Sequence, residues 1–110
     1  MATDTLSRIE AILAESQALT PEKRTELQTL IAQLREETSA LGHAHPAAAQ
    51  DIATQTHELA RQTLAASGDP VSAQRARGRL SSSVQGFEES HPRLVQVTNA
   101  ICTALANMGI

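Results

Sequence analysis

The chain has 110 residues and a formal net charge of −3, which gives no electrostatic case for nucleic acid or an anionic membrane surface. One Phe with no Tyr or Trp leaves the core without the aromatic burial that dominates many small domains, and a single Cys excludes an internal disulfide framework. No run of about 18 apolar residues is present to span a bilayer, and Met1-Ala2-Thr3-Asp4 carries no basic segment leading into an apolar block. The expected setting is the cytoplasm.

The length suits one domain, residues 1–110, and apolar spacings of three and four predict helices throughout. The first helix is expected from about Asp4 to Gln17, with Leu6, Ile9, Ile12 and Leu13 on its apolar face and Leu19 beyond. Thr20-Pro21-Glu22 is a strong second start: a capping hydroxyl, a proline at the first position and an acid in the first turn. The second helix is expected to reach about Leu41, with Gly42 as its stop. Its stripe is Leu27, Leu30, Ile31, Leu34 and Leu41, interrupted by Thr38. This is nearly a heptad seam, yet too short for a long coiled coil.

Gly42-His43-Ala44-His45-Pro46 is a break. The third helix, expected over about Pro46 to Ser67, is the weakest amphipath. Ile52, Leu59 and Leu64 are its only large apolar residues, helped by Ala60 and Thr63, so it reads as easily formed, lightly buried and labile. Asp69-Pro70 opens a fourth helix, expected to about Glu89, with Ala73, Ala76, Leu80, Val84 and Phe87 on one face. Gly78, three consecutive serines and Gly86 weaken its interior. The fifth helix follows His91-Pro92 and buries Leu94, Val97, Ile101, Leu105 and Met108, with Val95 and Cys102 on one flank. Its end reads as a Schellman cap, with Gly109 left-handed and Ile110 folded back onto Leu105.

Phe87-Glu88, Ser90-His91-Pro92, Leu94 and the closing Asn107-Met108-Gly109-Ile110 resemble a family of small bacterial all-helical proteins of unknown function. The likeness covers residues 4–41 and 78–110. Phe87, His91, Pro92, Leu105, Gly109 and Ile110 form its structural signature. The segment between departs from the family's shorter pattern and reads as an extra helix over 46–67. The resemblance implies a bacterial helical protein and brings no activity, cofactor or catalytic residue with it.

Candidate chemistry is sparse. His43 and His45 lack the further ligands of a tetrahedral metal site, and His57-Glu58 lacks the second His of a metalloprotease helix. Glu88, Glu89 and His91 cluster at a turn, where a hinge explains them without catalysis. Cys102 sits among Val95, Thr98, Ile101 and Leu105, the setting of a small buried hydrophobe. Arg75, Arg77 and Arg79 are the one basic run; on a helix 75 and 79 share a face and 77 points elsewhere. Salt bridges to the first two helices of the same or another subunit, which carry four basic and seven acidic residues within 1–41, are the expected use of these arginines.

The fold expected is an all-α bundle of about five helices. A hairpin of helices one and two packs with the helix four–five pair, and helix three bridges or extends them. Leu, Ile, Val, Met and Phe total 25 residues, a thin core for five helices, which argues for a homodimer. The function expected is a non-enzymatic oligomerisation or adaptor module working through Leu27, Leu30, Ile31, Leu34 and Leu41. The alternative is a nucleic-acid- or nucleoid-associated factor using Arg75, Arg77 and Arg79.

Overall fold

All four prolines of the chain open a helix. Proline's fixed φ suits the first helical turn, where its missing N–H costs no hydrogen bond. In the computed structural model, which describes residues 2–17, 19–64 and 70–107, the helices are α1 (Ala2–Glu15), α2 (Pro21–Gly42), α3 (Pro46–Leu64), α4 (Pro70–Ser83) and α5 (Pro92–Ala106). The Thr20 hydroxyl accepts from the Lys23 N–H at 3.2 Å and caps α2. The expected cap involving Met108, Gly109 and Ile110 lies outside the described residues.

α2 ends at Gly42, the stop expected, though without a left-handed turn: His43 follows it in right-handed helical geometry, and Gly86 is the one described glycine with positive φ. Pro46 disfavours helical geometry for His45, the residue before it, and α3 starts afresh. The fourth helix ends at Ser83, six residues short of Glu89. Val84 to Gly86 form a turn, Gly86 takes φ 95°, and its N–H donates to the Glu88 carboxylate at 2.9 Å.

The core is one cluster drawn from all five helices. Leu6, Ile9 and Leu13 of α1 meet Leu27, Ile31, Leu34 and Leu41 of α2, Ile52 and Leu59 of α3, Leu80 of α4, and Leu94, Ile101 and Leu105 of α5. Thr38 does not interrupt the α2 stripe. It is buried, and its hydroxyl donates to the Leu34 carbonyl at 2.8 Å, which satisfies the only polar atom it brings inside.

The largest correction concerns α3, which touches each of the other four helices. Its buried face is Ala49, Ile52, Ala53, Thr56, Leu59 and Ala60, so it is the hub of the bundle rather than a lightly buried bridge. Alanines at 49, 53 and 60 let neighbouring helices approach closely, and Thr56 returns its hydroxyl to the Ile52 carbonyl at 2.7 Å. The α1–α2 and α4–α5 pairs form as expected, with α5 also lying along α2. The radius of gyration is 12.9 Å, against about 13 Å for a compact chain of this length. No helix among the described residues is long and apolar enough to cross a membrane.

Candidate interaction surface

The leucine seam of α2 is used up inside one chain. Leu27, Ile31, Leu34 and Leu41 are all buried, because α2 is flanked by α1, α3 and α5. These four are therefore core residues, a correction to their expected role as a working surface. Apolar spacing shows that a face is covered; it does not show whether the same copy or another covers it. Leu30 alone of the five stays half-buried. It lines a groove between α2 and α5 with Gln33, Pro92, Arg93, Gln96 and Val97. The charge there is answered locally, since Arg93 lies 4.0 Å from Glu37.

A second groove runs between α3 and α4, and its walls are of opposite sign. The α4 wall carries Arg75 and Arg79, both exposed, with Gly78, Ser82 and Ser83. On the α3 wall, Asp51 and Gln55 line the groove with Arg75 and Arg79, and Glu58 and Gln62 line it with Ser72 and the same two arginines. No ion pair crosses it among the described residues, so the two arginines keep their charge available. Val71, 54% exposed, is the one exposed large hydrophobic residue among those described. It lies four residues before Arg75, on the same side of α4.

Gly78 sharpens this picture. A Cβ added there would meet nothing within 4 Å, so packing inside the chain does not require glycine. A mid-helix glycine costs about 0.5–1 kcal/mol relative to alanine, and what it leaves is a bare patch of backbone between two arginines. Arg77 points the other way, as its spacing predicts. It is half-buried, its Nη1 is enclosed without a hydrogen-bond partner, and its charge is felt at Cys102. The expected salt bridges to the first two helices do not form within the chain, since α4 touches neither α1 nor α2 among the described residues.

On the α3 wall, Glu58 is held as a carboxylate. It accepts from Arg61 at 2.7 Å and from Gln62 at 2.9 Å. These bonds, helped by the charges of Arg61 and His57 and opposed by burial, lower its pKa to about 2. Asp51 accepts from Gln55 at 3.3 Å.

The remaining candidates have structural roles. Phe87 lies edge-on to His45, with centroids 5.6 Å apart, and to His91 at 5.9 Å, which pins the α2–α3 connection to the α4–α5 turn. His43 is exposed and takes no part in this. Among the described residues no three His, Cys, Asp or Glu side chains are grouped to hold a metal ion. Burial raises the Cys102 thiol pKa, partly offset by Arg77. The contribution missed entirely at the sequence level is Arg24, whose guanidinium serves the end of α1; nothing in local spacing marks a contact made eleven residues back.

Fold and surface together define a small all-α protein, a five-helix bundle with open grooves between its helices. The chain belongs to the family DUF4404, a domain of unknown function, which matches residues 48–110. The match takes in nearly all of α3 with α4 and α5, and the Phe87 to Leu94 and closing motifs fall within it, whereas residues 4–41 lie outside. No curated protein and no solved structure matches the chain.

Proposed function

We propose that this protein is a non-enzymatic helical interaction module that associates with copies of itself, with the α3–α4 face as its working surface. The observation that supports this reading best is the α4 stripe. The exposed Val71, the unpaired Arg75 and Arg79 and the bare backbone at Gly78 fall on one side of one helix. Only Gly78 costs the free chain stability, and the three together are ordinary features of a face that meets another helix. An apolar anchor excludes water, arginines supply directional bonds, and a glycine permits close approach.

Nucleic-acid binding by Arg75, Arg77 and Arg79 is the weaker reading. Arg77 is turned toward α5, Asp51 and Glu58 would face the phosphates, and Phe87 is engaged with two histidines, leaving no aromatic for base stacking. The test is sedimentation velocity and light scattering at about 100 μM, where micromolar complexes are populated. A mass near twice 11.7 kDa is expected, and a monomer under these conditions overturns the reading.

A further inference from the structure

We infer that the occupant of the α3–α4 groove is the same groove of a second copy, related by a twofold axis that runs parallel to the helices. The inference rests on the self-association reading above and specifies its geometry. The groove has an acidic wall, Asp51 and the Arg61-bonded Glu58 on α3, and a basic wall, Arg75 and Arg79 on α4. Both arginines face both acids, since Arg75 and Arg79 line the groove with Asp51 and again with Glu58.

A twofold axis along such a groove exchanges left and right while keeping height. Each acidic wall then lies on the partner's basic wall, with Asp51 and Glu58 over a second copy of Arg75 and Arg79. An occupant of one sign would satisfy one wall and repel the other. A second copy satisfies both, which is the self-complementarity an isologous interface needs. Gly78 and Ser82 lie along the middle of the contact and let the backbones approach, while Gln55 and Gln62 offer amides that suit either wall. The footprint is set by α4, 14 residues or about 21 Å long.

A charge exchange tests this on the full chain. Asp51 and Arg79 are both exposed, so single substitutions leave the bundle folded, checked by helical circular dichroism. Asp51→Arg makes the groove wholly basic at that level, and Arg79→Asp makes it wholly acidic. Each alone should weaken self-association by at least about tenfold. Mixed in equal amounts, the two single variants should form a heterodimer, because each acid then meets a base again. The double variant Asp51→Arg/Arg79→Asp should dimerise like the parent. A monomeric parent chain overturns self-association itself. A dimeric parent indifferent to both single substitutions leaves self-association standing and overturns this interface. Weakened single variants that do not recombine overturn the twofold geometry.

Discussion

The guanidinium of Arg24 donates to the backbone carbonyl of Leu13. The same group reaches the carbonyls of Ala14 at 3.1 Å, Ser16 at 3.0 Å and Leu19 at 3.4 Å. A helix leaves its last carbonyls without partners, and α1 has no basic residue of its own in its last turn. Arg24, from the first turns of α2, supplies both the donors and the positive charge that the end of α1 lacks. Arg24→Ala should lower stability by about 1–3 kcal/mol in urea titration, the range for hydrogen bonds to a charged group. Arg24→Lys should recover only part of it, since one ammonium cannot span this set of carbonyls.

α3 should be the slowest part of the molecule to exchange its amide hydrogens. Ile52, Ala53, Thr56, Leu59 and Ala60 are buried against every other helix, so opening α3 requires opening the whole core. Native-state hydrogen exchange should rank these amides at the global unfolding limit. Ile52→Ala should cost about 2–5 kcal/mol by thermal denaturation.

Glu58 predicts an acid window. Its folded pKa of about 2 lies below the ordinary 4.5, so the stability it contributes is fully present above pH 4.5. That contribution is lost as pH falls from 4.5 toward 2. The effect is modest because the pair with Arg61 lies at the surface. The difference in melting temperature between the parent and Glu58→Gln should shrink across this window and stay constant above it.

Cys102 should be a poor nucleophile at neutral pH. Burial lifts its pKa, and the nearby Arg77 only partly offsets that. Alkylation by iodoacetamide should run slower than for a free thiol at pH 7.5 and accelerate on unfolding in urea. Arg77→Ala should slow it further in the folded state.

The helices and most of their faces were legible because proline, capping residues and three–four apolar spacing act locally. Leu27, Ile31 and Leu34 had to be covered, and they are. What covers them was not legible, since a second copy and α5 would use the same leucines. α3 was underrated for a related reason. Ala49, Ala53 and Ala60 contribute little apolar area each, yet their smallness is what admits neighbours on several sides. The α3–α4 groove needed Asp51 and Glu58 brought alongside Arg75 and Arg79, a packing of two helices that neither helix encodes alone.

The position of α5 along α2 bears on how the chain acquires its structure. The two helices join across some fifty intervening residues, and closing so long a loop is entropically costlier than pairing chain neighbours. On the ribosome, α1, α2 and α3 can collapse together as they emerge, but the flank of α2 that α5 covers must wait until α5 itself has emerged. During that interval the nascent chain presents an open apolar flank to its surroundings, the state in which small helical proteins are most exposed to aggregation and to chaperone capture.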